Sequence, residues 1–598
     1  MVKKQSNGKL LPLASKGPVI IDTETTGLNK MMDVPYMITY KVGDNIETLE
    51  WNASVAKWLA IEGKRADLLV FHNAKFDMHM CINGGVPAEA VRQWKVWCTW
   101  IAEVLIDEHL KSYKLRSLSE RHFGKGKEDE ELIEWIVNNV PQCKKRSDAE
   151  AYMEFAPRSL VKSRNQRDVI LTEMLYNRQV KEVLDQDLIS IADLEMEVIH
   201  AIVNMERTGC PVNVSAIEQA REEIELDLLN VMDQMQGIVG YAFNVNSPVQ
   251  VGKALRESGV DVILSEAGNP VTNKETLREL SGDLPPLILE ARHLRKMIEN
   301  FLDGMLSCVS PDGRIHCDFN QMRSDDYGTK TGRLSASNPN MQQVPKRDER
   351  SAEIIRSLFA PKDGYDWINS DWEQFEFRIF AHYCNDPSLL QQYKDKPEID
   401  FHQAVADLTG VARNPYAKQI NLGLVFGMGE GRLAQELKLP YKIVKKEDGS
   451  SYAEAGPEAK ALFKTYHKNF PYAQQFLKRA SRLAFSRGYI KTLLGRRIRF
   501  PYGQSTHKAG GLVFQGSAAD LMKRALVQID KMLYKEDCGA QLCLTIHDEF
   551  DLISPHDQTK KIKKKIVEIM QDVPELHVPI LASCGSGENW WSAMKGEK

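Results

Sequence analysis

The sequence has no closely spaced cysteine pair, no apolar run of membrane-spanning length, no internal repeat and no long low-complexity tract. Its ten cysteines are scattered, with Cys81, Cys98, Cys143 and Cys210 far apart and no C-x-x-C among them. Free thiols in a reducing compartment are therefore expected, and a structural zinc is not. With no apolar stretch approaching about 20 residues, no spanning helix is expected. The opening MVKKQSNGKLLPLASKG is basic but lacks a sustained apolar core, which predicts a cytoplasmic protein without a signal peptide. Charge of one sign is also missing: 78 Lys and Arg against 82 Asp and Glu leave a net −4. That balance argues neither for nor against nucleic acid, because only a binding groove must be basic.

What is present is a chain of 598 residues, too long for one hydrophobic core and sized for roughly three to five units. PVIIDTETTGL is the first strand signal, and LLVFHNAKFD (68–77) reads as a second strand running into a loop or helix. Segments 97–122 and 164–180 read as helical, so an α/β domain is expected to end near residue 188. From 189 to 300 the pattern is mostly helical, as in AIEQAREEIELDLLNVMDQM. Strand signals return over 314–380, helices dominate 380–490, and QLCLTIHDEFDLIS reads as a hairpin with polar residues at its tip. The lysine run Lys560, Lys561, Lys563, Lys564 and Lys565 could be a nucleic-acid patch. Ile562, Ile566, Ile569 and Met570 share one helical face, however, which favours a solvated basic face.

Asp22 and Glu24 lie two apart at a strand end, so alternation puts both carboxylates on one face. Side by side they repel unless a cation lies between them. Alone, D-x-E is equally a strand-ending turn. Asp77 in HNAKFD and Asp168 in RNQRDVILT add two carboxylates from separate segments, the set a two-metal phosphodiesterase needs, with ions roughly 4 Å apart. Together the three segments resemble the DEDD 3′→5′ proofreading exonucleases. The resemblance implies that Asp22, Glu24, Asp77 and Asp168 hold two divalent ions. It also shows a departure: Arg164 stands where polymerase-linked members carry a tyrosine.

Asp371 opens SDWEQFEFR after an apolar strand signal, and Asp548 sits at the hairpin tip. Between them RNPYAKQINLGLVFGMG begins a helix at Pro415, with Lys418, Leu422 and Phe426 in one line. That line of cation, aliphatic and aromatic side chains suits phosphate, sugar and base; by itself it is more often an ordinary amphipathic helix with a snorkelling lysine. Taken in order, these segments resemble motifs A, B and C of the family-A DNA polymerases. MERTGCPVN, FNVNSPVQV, TKTGRLSASNPNMQQVP, IDFHQAVA, GYIKTLLGRR, FQGSAADLMK and GENWW support the match across nearly all of 195–598. The resemblance leads us to expect no 5′-nuclease domain ahead of the exonuclease-like region, an arrangement similar to that of phage-encoded members in a bacterial cell.

The resemblance implies an α/β, ribonuclease H-like exonuclease domain (1–188) followed by a right-hand α+β polymerase domain (189–598). Its thumb would span about 210–310, its palm about 311–385 and 495–598, and its fingers about 386–494. The implied activity is template-directed DNA synthesis by a monomer, using primer-template DNA and dNTPs. Asp371, Asp548 and the Trp372 backbone carbonyl would hold two Mg²⁺, Mn²⁺ also suiting oxygen ligands, with Glu549 nearby. Lys418, Arg413 and His402 would face the triphosphate, and Leu422, Phe426 and Gln374 the nucleotide. Glu376 would exclude a ribose 2′-hydroxyl. Arg333, Gln515, His547 and Gln343 would contact the primer-template.

Departures from the family pattern are Glu373 for serine, Arg413 five rather than four residues before Lys418, Leu422 and Phe426 for larger or hydroxylated aromatics, and Gly511 for asparagine. A single-subunit RNA polymerase is disfavoured by Glu376 and the exonuclease-like segment. A degenerate DNA-binding protein, or an exonuclease with a gripping C-terminal region, is disfavoured by retention of Asp371 and Asp548.

Overall fold

The computed structural model describes residues 12–13, 17–126, 130–265, 267–324, 328–346, 348–409, 413, 417, 420–421, 423, 427–445 and 451–596. An N-terminal five-stranded sheet is ordered β3-β2-β1-β4-β5, with β1 Pro18–Thr25, β2 Pro35–Val42, β3 Asn45–Glu50, β4 Leu68–Phe71 and β5 Val96–Cys98. β1 runs parallel to β4 and antiparallel to β2. It is covered on both faces, so Val19, Ile20 and Ile21 are all buried and the strand reads as an unbroken β-branched run. LLVF is thus the fourth strand rather than the second. PYMITYKV and NIETLE form an intervening hairpin, whose last register pair is Val42 with Asn45 around the Gly43–Asp44 turn. The 97–122 segment is also not one helix: it starts in β5 and continues as helices Thr99–Ile106 and Leu115–Phe123. The helix Arg158–Asp185 packs across β1 and β2 and carries Asp168.

The helix Ile189–Thr208 follows with a three-residue break. Ile191, Ala192, Met196, Ile199 and Val203 bury one stripe in the core of the N-terminal sheet. Val198, Ala201, Ile202 and Met205 bury another in the C-terminal core. Ion pairs reinforce this junction. Glu206, wholly buried, takes Lys75 at 2.8 Å, His79 at 2.8 Å and Lys30 at 3.2 Å. Lys75 also donates to the Phe319 carbonyl at 2.9 Å. Burial disfavours the Glu206 carboxylate, but Lys75 and the His79 hydrogen bond outweigh it and hold its pKa below the usual range.

Helices Val214–Val239, Pro248–Glu257 and Leu284–Lys296 enclose a small separate core around Val251, Leu255 and Ile288. Beyond them a four-stranded antiparallel sheet is built from Tyr365–Trp372, Gln541–Ile546, Glu549–Pro555 and Ala582–Gly587. The helix Ala509–Glu536 is largely buried beside it. At the centre of this body Glu195 receives Lys523 at 2.7 Å and Arg496, which also pairs with Asp520 at 2.7 Å. All four side chains are buried. The lysine-rich helix His556–Gln571 buries Ile562, Ile566 and Met570, while Lys561 and Lys565 both pair with Glu536. The solvated-face reading of that run holds. No helix among the described residues is long and apolar enough to cross a membrane.

Candidate active sites

The first centre forms where β1 ends. Oxygens of Asp22, Glu24 and Asp168 all lie within 4.8 Å of one another. Asp77, from the helix Ala74–Asn83, lines the same cleft of about 470 Å³ and accepts from Thr23 Oγ1 at 2.7 Å. Burial raises the pKa of all four carboxyls, Asp77 to about 7 and Asp168 to about 6. For Asp22, the neighbouring Asp77 and Glu24 add to that rise. A crowded set of buried acids with oxygens this close fits a divalent cation, which would relieve both the desolvation and the mutual repulsion. Two further polar groups belong to the centre. Asn165 Nδ2 donates to Asp22 at 2.5 Å and reaches Glu24 at 3.4 Å. Arg164 lies 3.6 Å from Glu24 and 3.5 Å from Asp168.

The second centre lies at one end of the four-stranded sheet. Asp371 is paired in register with Glu549, the residue after the hairpin turn. Ile546 pairs with Glu549, leaving His547 and Asp548 as the two-residue tip. His547 takes φ 58°, a left-handed conformation uncommon away from glycine. The Trp372 amide donates to the Asp548 carbonyl at 3.4 Å, drawing the two acid-bearing segments together. Burial raises Asp371 to about 7, with Asp548 adding and Lys346 opposing. Asp548 is raised by burial as well. Asp371 Oδ1 is buried and accepts no hydrogen bond, an orphaned acceptor that a cation would satisfy.

Glu549 has a different environment. It is buried and bonded to Lys346 at 2.8 Å, Arg356 at 3.2 Å and Trp590 Nε1 at 3.1 Å. Burial alone would raise its pKa, but Lys346 and Arg356 bring it down to about 2. Lys346 also reaches Asp371 at 3.2 Å.

The residues matched by the family model for DNA polymerase family A, 214–592, contain this second centre whole. The chain belongs to DNA polymerase family A. As a family A polymerase it is 33% identical to a protein named DNA polymerase DpoZ from Salmonella phage PMBT28, over 98% of both chains. It is 28% identical to a DNA-directed DNA polymerase of Pseudomonas phage M6, over 88% of this chain and 83% of that one. In fold it is similar to the POL domain of Pol1 from M. smegmatis, solved in complex with DNA primer-template and dNTP. The TM-score is 0.76 at 22% identity, covering 96% of each chain.

Around the second centre of this family A polymerase, Gln374 (φ 51°) turns the chain from the Asp371 strand into the helix Phe375–Cys384. Its side chain bridges the Ile399 carbonyl and the Phe401 amide, both at 3.2 Å. Glu376 on that helix pairs with Arg333. Arg413 Nε donates to Asp400 at 2.7 Å, and His402 Nδ1 lies 3.0 Å from the Asn421 amide. Glu373 is exposed, Gln515 half-buried, Gln343 exposed and Gly511 buried. Lys418, Leu422 and Phe426, with Asn414 and Pro415, lie outside the described residues. Lys346, Arg356, Asn165 and Thr23 were not singled out by sequence reasoning. None sits in a motif whose local spacing marks it, although Thr23 and Asn165 adjoin residues that do.

Proposed function

We propose that this family A polymerase extends a primer 3′ end at the Asp371–Asp548 centre and removes nucleotides from a 3′ end at the Asp22–Glu24–Asp77–Asp168 centre. The observation that carries the proposal is the pairing of one orphaned buried carboxylate oxygen at Asp371 with a second acid cluster of metal-binding geometry in the same chain. Divalent ions, Mg²⁺ or Mn²⁺, would lower the pKa of the attacking hydroxyl or water and neutralise the departing oxygen.

The chain's own groups do the positioning. Asp371 and Asp548 supply the acceptor oxygens, joined by the Trp372 carbonyl. Lys346 and Arg356 fix Glu549, so that it braces the hairpin from behind. His547, held at the tip, faces the primer end. Arg333 holds Glu376 where it meets the sugar of the incoming deoxynucleotide, with Gln374 setting the helix that carries it. Arg413, His402 and Lys418 address the triphosphate, Leu422 and Phe426 the base. Gln515 and Gln343 join Arg333 along the primer-template. The helical body of 210–310 acts as thumb, the four-stranded sheet as palm and 386–494 as fingers.

At the other centre, Asp22, Glu24, Asp77 and Asp168 would hold the divalent cation against which the 3′-terminal phosphodiester binds. A cleft of about 1060 Å³, lined by Lys111, Arg121, Lys330 and Arg499, shares Ser117 with the cleft of the acid cluster. Its basic lining suits a single strand running between the two bodies.

The test uses a labelled primer on a longer template with Mg²⁺, with and without dNTPs. Wild type is expected to extend with dNTPs and degrade without them. Asp371→Ala should lose extension alone, and Asp22→Ala degradation alone. Wild type that extends but never degrades would refute the exonuclease half, and an Asp371→Ala variant that still extends would refute the polymerase assignment.

A further inference from the structure

The acid cluster at the end of β1 already contains a cation of its own. Arg164 leaves the helix Arg158–Asp185 one turn before Asp168, and its guanidinium lies 3.5 Å from that carboxylate and 3.6 Å from Glu24. Its side chain is only 18% exposed, so little water screens the interaction. Beside it the Asn165 amide donates to Asp22 and Glu24, and Thr23 Oγ1 donates to Asp77. Each of the four carboxylates thus has a resident polar partner. Asp22, Glu24 and Asp168 offer oxygens close enough to one another to share one ion. A fixed guanidinium touching two of those three repels a second divalent ion from the Glu24–Asp168 side.

We propose that Arg164 is a positioning residue that permanently supplies charge a second divalent ion would otherwise bring, so that this centre takes up one tightly bound divalent ion instead of two. The inference rests on the reading of this cluster as a metal-dependent exonuclease centre. The lysine or arginine charge at position 164 is then the determinant. A neutral residue there opens the Glu24–Asp168 side to a second ion.

The experiment counts Mn²⁺ by electron paramagnetic resonance on the full chain, in an Asp371→Asn, Asp548→Asn background that removes the polymerase centre's ligands. One tight Mn²⁺ is expected with Arg164 and with Arg164→Lys, and two with Arg164→Gln and Arg164→Tyr, the second at least about tenfold tighter than in the parent. Thermal unfolding in EDTA gives an independent readout. Arg164→Gln should melt lower than the parent there and recover when Mn²⁺ is added, whereas Arg164→Lys should match the parent. Two equally tight ions in the Arg164 parent, or the same count in Arg164→Gln, would overturn the inference while leaving the exonuclease reading intact. No Mn²⁺ bound in any of the variants, lost neither to nor gained from Asp22→Ala, would instead bring down the reading on which it rests.

Discussion

At the polymerase centre, metal affinity should depend on pH more steeply than ordinary carboxylates allow. Burial and Asp548 raise Asp371 to about 7, so near neutrality the metal-free site holds a proton that a cation must displace. A ligand of pKa about 7 weakens apparent affinity about tenfold between about pH 8 and about pH 6, one proton released per pH unit being worth ~1.4 kcal/mol. The assay is half-saturating Mg²⁺ for primer extension at fixed ionic strength, supported by direct Mn²⁺ titration of the Asp22→Ala variant. Lys346, 3.2 Å from Asp371, opposes the rise. Lys346→Met should therefore move the inflection to higher pH, while the loss of a cation beside the site should lower the metal requirement on the alkaline side of that inflection. For folding the sign is reversed. A carboxyl raised in the folded state contributes stability below its unfolded pKa and loses that contribution as pH rises through about 7, so metal should stabilise most on the alkaline side. A metal requirement that is flat from about pH 6 to about pH 8, in wild type and Lys346→Met alike, would refute the reasoning.

Three further outcomes are expected. Glu195→Ala leaves Lys523 and Arg496 buried with Asp520 alone, and should cost ~3–5 kcal/mol, whereas Glu195→Leu combined with Lys523→Met should recover most of it; urea unfolding followed by tryptophan fluorescence compares them. Because Lys561 and Lys565 are occupied by Glu536, replacing both with alanine should leave primer-template affinity and its salt dependence within about twofold of wild type by fluorescence anisotropy. Glu376→Ala removes the ion-pair partner of Arg333; if Glu376 meets the sugar as proposed, single-nucleotide kinetics should show discrimination against ribonucleotides falling by more than about tenfold.

Local pattern revealed the acid-bearing strands and the hairpin because their chemistry depends on near neighbours. β1 is covered on both faces and reads as an apolar run; the Asp548 hairpin closes within one short segment. The β2–β3 hairpin was missed because neither PYMITYKV, which lies between β1 and β3 and is buried over most of its length, nor the edge strand NIETLE alternates cleanly. Lys346 and Asn165 were invisible for another reason. Lys346 meets Glu549 across 203 positions, and Asn165 meets Asp22 across 143. No local periodicity marks such partners, and only the folded chain brings them together. Arg164 was legible as a departure, but not its contact with two of the acids it replaces a tyrosine beside.

The helix Ile189–Thr208, with one stripe in each core, ties the two acid centres into one folded unit, so that point mutation can separate them but excision cannot. Truncation after residue 188 would strip the N-terminal sheet of Ile191, Met196, Ile199 and Val203. A fragment beginning at 189 would carry that same stripe, and the Glu206 carboxylate without Lys75 and His79, into water. Either excised piece would be prone to aggregate, so a minimal functional fragment of this enzyme retains both bodies.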